Sequence, residues 1–93
     1  METKYLELHE RYRLRAQASL YQGANSPGYV ANWQILKALE TSDPAKFIAN
    51  ALNKARIEAE GSQGTPKLNQ FWEIQVRLFR EAITAVRKVD SKG

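Results

Sequence analysis

The sequence predicts an all-α fold, a compact four-helix domain, on three observations. A small oxygen-bearing residue precedes proline at Ser26-Pro27, Asp43-Pro44 and Thr65-Pro66. Such dipeptides open helices: the side-chain oxygen accepts a free N–H, and proline occupies the first helical position, where a missing donor costs nothing. No stretch alternates apolar and polar residues with period two, and helix formers dominate throughout. The third observation is a stripe in the last long stretch, where Leu68, Trp72, Gln75, Phe79, Ala82, Val86 and Val89 follow in steps of four and three. Phe71, Ile74, Leu78 and Ala85 widen it on one side, Val76 and Ile83 on the other. At about 100° per residue the apolar arc spans roughly 200°, so this helix needs covering from two directions.

The first helix is expected over residues 3–22, with Tyr5, Leu8, His9, Tyr12, Ala16 and Leu20 facing the core. Lys4, Arg11 and Arg15 form a stripe beside that arc, Glu7 stands four residues before Arg11, and Leu14 and Tyr21 fall on the far side. Gly23 is the expected cap. The second helix, 27–41, is apolar almost all round and should be sandwiched, with Gln34 and Lys37 marking its solvent strip. In the third, 44–60, Ala45, Phe47, Ile48, Ala51, Leu52, Ala55 and Ala59 make a buried stripe whose small members allow a close neighbour. Ile57 is an apolar outlier among polar residues there, and Gly61 the expected cap. The fourth helix runs over 66–89, leaving 90–93 as a frayed tail. It should be central, with the first helix as its long antiparallel partner and the two middle ones covering the remaining arc.

Ninety-three residues suffice for one domain with its own core, burying roughly 60–65% of the unfolded surface. The absence of cysteine excludes disulfides, thiolate metal sites and a cysteine nucleophile, and agrees with a cytoplasmic location. The first fifteen residues intersperse charged and apolar residues and lack the apolar run of a signal peptide, and no window has the apolar length of a membrane span. The net charge of +4 is compatible with nucleic acid, an acidic protein or a membrane surface, and selects none of them.

Catalytic equipment is missing. The single histidine, His9, cannot complete a zinc site or an HExxH motif, and is read as a partly buried residue hydrogen-bonded to a neighbour. The pairs Glu7/Glu10 and Glu58/Glu60 match no acid–base or cation-binding spacing, the serines lack a GxSxG setting, and GSQGTPK has no P-loop spacing. The chain is therefore expected to be no enzyme and to need neither metal nor cofactor.

The basic residues and the off-face hydrophobes remain. Arg11, Arg13 and Arg15 interleave with Tyr12 and Leu14, while Arg77, Arg80, Arg87 and Lys88 share the polar side of the last helix with Glu73 and Glu81. Arginine forks grip carboxylates and phosphates at two points, so these residues are candidate contacts for an acidic partner or a nucleic-acid backbone. The competing reading is a solvated surface with local pairs Glu7–Arg11, Glu73–Arg77 and Arg77–Glu81. Leu14, Tyr21 and Ile57, with Arg11 and Arg15 beside them, are the candidate protein interface. Gln75, a lone polar residue in the apolar arc, is expected to bond to Tyr5, Tyr12 or Tyr29 or to face a partner. The function expected is a non-enzymatic interaction module, a small adaptor, inhibitor or accessory subunit binding another protein or a second copy of itself. The alternative is a nucleic-acid-associated helical protein using its basic faces.

Overall fold

The computed structural model describes residues 1–92 and consists of α1 (Leu6–Ser19), α2 (Pro27–Leu39), α3 (Pro44–Gly61) and α4 (Pro66–Lys92). All three prolines open helices. Ser26 Oγ accepts the Tyr29 N–H at 3.3 Å and Asp43 Oδ1 accepts the Lys46 N–H at 3.2 Å, each meeting a donor that a first turn leaves free. At the start of α4 the Thr65 carbonyl accepts the Asn69 N–H at 2.8 Å. The first helix is shorter than its pattern suggested, because single 3-10 turns at Thr3–Tyr5 and Leu20–Gln22 flank α1. Gly23 stops it at φ 106°, a conformation open to glycine at little cost. Gly61, expected to cap α3, is its last helical residue instead. The cap is Ser62, whose N–H and hydroxyl both reach the Ala59 carbonyl.

Short loops make successive helices antiparallel, so the chain runs up, down, up, down. The bundle is flattened, measuring 43 × 26 × 16 Å. α4 and α3 approach most closely, and the buried Ala59 of α3 lies beside Val76 of α4. α2 packs on α1, α3 and α4. α1 does run antiparallel to α4, yet its close backbone neighbour is α2, because the bulky Tyr5, Leu8 and Tyr12 fill the space between α1 and the rest of the core.

The core joins Tyr5, at the entrance of α1, and Leu8 and Tyr12 to Ala31, Ile35, Ala38 and Leu39 of α2, Ile48 of α3, and Val76, Phe79, Ile83 and Val86 of α4. Four positions assigned to apolar faces are substantially exposed instead: Leu20, Trp33, Phe47 and Leu68. Leu20 lies beyond the end of α1, where the change from 3.6 to 3.0 residues per turn rotates it off the Leu8–Tyr12–Ala16 line. Phe47 sits one position off the Pro44–Ile48–Ala55–Ala59 row. The second helix, packed on its three neighbours, keeps a narrow solvent strip in which Trp33 lies under the Lys37 ammonium, 5.2 Å from the ring centre. Leu68 belongs to the opening turns of α4, where the apolar arc outruns its cover. Phe71 and Trp72 are only half-buried there, their rings meeting edge to face at 5.1 Å and 87°. Of the three aromatics in that helix, Phe79 alone is fully enclosed.

The expected frayed tail is also revised. α4 continues to Lys92, and Asp90 is tied down by the Tyr5 hydroxyl, which donates to Oδ1, and by Lys4 Nζ at 3.3 Å. Gly93, the last residue of that tail, lies outside the described residues.

Candidate protein-interaction surface

The end of α1 is shaped by a polar relay. Asn32 Nδ2 on α2 donates to Ser19 Oγ at 3.0 Å, and Ser19 Oγ donates in turn to the Arg15 carbonyl at 2.7 Å. This anchors one side of the last turn of α1 to α2 and leaves the opposite side in water. Leu14 and Leu20 are each about half exposed there, and Tyr21 is 96% exposed. Together with Gln17 and Ala18 they surround an open hollow of about 670 Å³. Tyr21 is a large aromatic that touches almost nothing of its own chain.

Ile57 is also exposed, at 59%, but it stands on α3, at the other edge of the flattened bundle from α1. The topology carries it to the same end of the molecule as Tyr21, since α1 and α3 finish where α2 and α4 begin. Also at that end, Val30, Leu68 and Phe71 line a second apolar hollow of about 530 Å³.

The structure scatters the basic clusters. Arg13 forms a two-point pair with Glu10, its Nε to Oε2 at 2.8 Å and its second nitrogen to Oε1, so its fork is occupied. That pairing holds the Glu10 carboxyl below its ordinary value and raises the Arg13 guanidinium. Arg15 lies over the Tyr12 ring, 5.1 Å from its centre. Arg11 points into a groove between α1 and α4, and Lys88 lines the same groove from the opposite wall. Arg80 lies on the α3 side with Arg56, Glu60 and Glu73. The expected local pairs Glu7–Arg11, Glu73–Arg77 and Arg77–Glu81 are not formed. Among the described residues Arg11, Arg15, Arg77, Arg80, Arg87 and Lys88 have no ion-pair partner within 4 Å.

The polar residues of the interior are structural. His9 Nε2 lies 3.0 Å from Glu40 Oε2, joining α1 to the end of α2, and the carboxylate, an acceptor only, requires the proton on His9. This hydrogen bond, chiefly, keeps the Glu40 carboxyl below its ordinary value. Gln75 is 1% exposed, and its Nε2 has no partner among the described residues; it bonds to none of the three expected tyrosines. Burial raises the hydroxyls of Tyr5 and Tyr12, and Tyr5 is raised further by its bond to Asp90.

No family model, curated protein or solved structure matches this chain.

Sequence reasoning missed Leu20 as a surface residue and Asp90 as an anchor. The signal for Leu20 was present, since Gly23 already implied a tightened turn just before it. No sequence signal pairs Tyr5 with Asp90, 85 residues away.

Proposed function

We propose that this chain is a non-enzymatic interaction module, an adaptor, inhibitor or accessory subunit that docks on another protein through the Leu14–Leu20–Tyr21 surface. The observation that carries this reading is Tyr21, 96% exposed beside two half-exposed leucines. Tyrosine at the centre of an apolar patch is a typical energetic anchor of protein interfaces, with a ring to bury and a hydroxyl to satisfy at the rim. The hollow among Leu14, Ala18 and Leu20 suits an apolar knob from the partner, and the partner can be a second copy of the chain.

The test is affinity co-purification of the tagged chain from native extract, with and without nuclease, beside a Leu14→Ser/Tyr21→Ser variant. The expected result is a stoichiometric protein that survives nuclease and is lost with the variant, whose thermal midpoint is unchanged. Dimerisation would appear instead as concentration-dependent sedimentation, abolished by the same substitutions. Partners that vanish with nuclease and ignore Tyr21 would overturn the reading in favour of nucleic acid. Binding should then fall steeply with salt and be lost on charge reversal at Arg80 and Arg87.

A further inference from the structure

The other end of α1 offers a different surface. Its first two turns face the last three turns of α4 across a groove of about 340 Å³. The floor is apolar, made by Leu8 with the half-buried Ala85 and Val89. From Glu81 to Lys92 the groove extends about 16 Å at the helical rise, three turns of a helix laid alongside.

Charge along this groove is uneven. Lys88 and Lys92 stand toward the end where Lys4 is already engaged by Asp90, while Arg11 and Glu7 on α1 and Glu81 on α4 lie toward the middle and far end. Four cations line it against two carboxylates, and Arg11, Lys88 and Lys92 have no ion-pair partner within 4 Å among the described residues.

We infer that this groove binds an acidic amphipathic helix of a partner protein, its apolar side on Ala85 and Val89 and its carboxylates against Lys88 and Lys92. Two features select this occupant. An apolar floor between two antiparallel helices accepts the face of a third, the helix-in-groove mode, which a phosphate backbone would not use. Arg11, Lys88 and Lys92 are unpaired among the described residues, so an acidic rim adds attraction and orientation there without first breaking an existing pair. Glu81 at the far end disfavours an acidic residue there, which sets the direction in which the helix lies. The groove and the Tyr21 surface are at opposite ends of α1, so loss of one leaves the other intact.

The experiment uses a displayed library of amphipathic helices with leucine fixed at i, i+4 and i+7 and randomised flanks, selected against the full chain and against Lys88→Glu/Lys92→Glu. Aspartate and glutamate should be enriched in flanks selected on the native chain, and lysine and arginine in flanks selected on the reversed one. A recovered acidic peptide should bind on the order of tenfold more weakly to Val89→Gln and to the reversed variant, and equally to Tyr21→Ser. Circular dichroism confirms that each variant is folded. The inference is overturned by recovery of no clones, by flanks that ignore the reversal, or by peptides lost with Tyr21→Ser but not with Val89→Gln. It is also overturned if a duplex oligonucleotide binds through Lys88 and Lys92 with no response to Val89→Gln, which would make the groove a phosphate site.

Discussion

Gln75 shows how a single side chain sets a cost. It is enclosed by the core with an amide nitrogen that donates to nothing among the described residues, and such a donor costs about 1–3 kcal/mol when buried. Gln75→Met keeps the volume and removes the amide. We expect it to raise the unfolding free energy by about 1 kcal/mol, which for a chain of this size moves the thermal midpoint up by about 4–8 °C. A fall in the midpoint would mean that the amide is satisfied in solution. Asp90 makes the opposite contribution at the same scale. Its bonds to Tyr5 and Lys4 hold the last turns of α4 against the entrance of α1. A hydrogen bond to a charged group is worth about 1.5–3 kcal/mol, so Asp90→Asn should lower stability by roughly 1 kcal/mol or more. The loss should be local. Amide exchange in the last two turns of α4 should quicken severalfold while the Val76–Val86 segment stays protected.

At the scale of elements, the closeness of α3 and α4 rests on alanine. Ala55 and Ala59 of α3 are buried, and Ala59 lines the seam beside Val76 of α4. Ala59→Leu should therefore cost about 1–3 kcal/mol through forced displacement of α4, seen as a lower urea midpoint with an unchanged slope. The same substitution on a solvated face would do almost nothing. These contacts were legible in the sequence because an Ala-rich stripe has one physical meaning, close approach, whichever helix it meets. Helix starts were legible for a similar reason: Ser26-Pro27 and Asp43-Pro44 act within one turn, and local chemistry decides them. Helix ends and stripe margins were less so. Leu20 leaves its line where the helix tightens into a 3-10 turn, and Leu68 continues its periodic pattern into turns of α4 that the rest of the bundle does not cover; periodicity reports neither change. The interface residues divide on the same line. Tyr21 and Leu14 could be found because they break a pattern, whereas Arg11, Arg13 and Arg15 part through the way each side chain turns: Arg13 back to Glu10, Arg15 over Tyr12, and Arg11 into the groove with α4.

For the whole molecule, the flattened arrangement puts α1 on α2 and holds it to α4 by long side chains, two of them tyrosines. That choice has a consequence for pH dependence. Burial raises the hydroxyls of Tyr5 and Tyr12 above the ordinary value of 10.0, so in alkali the unfolded chain gives up these protons first. The unfolded state then binds fewer protons than the native one, and stability falls as pH rises. The contribution of each tyrosine is complete below pH 10 and is lost as pH climbs through its raised native value. Two such groups produce a slope of up to about 2.7 kcal/mol per pH unit where both are protonated in the fold and ionised in the unfolded chain. Glu40 acts with the opposite sign at the acid end. Its carboxyl lies below 4.5, so its contribution is present above that value and is lost as pH falls through the depressed one. It is partly exposed, and solvent screening keeps that effect small. Urea titrations between pH 9 and 12 should therefore show a steep alkaline loss in the native chain. Tyr12→Phe should start less stable or equal at neutral pH and lose about half of that slope, because phenylalanine has no proton to give up. Tyr5→Phe should do the same and also remove one of the two bonds to Asp90, so amide exchange at the end of α4 should quicken in the same turns as in Asp90→Asn while the Lys4 pair remains. An alkaline slope identical in all three chains would mean that α1 does not seal its tyrosines against the core.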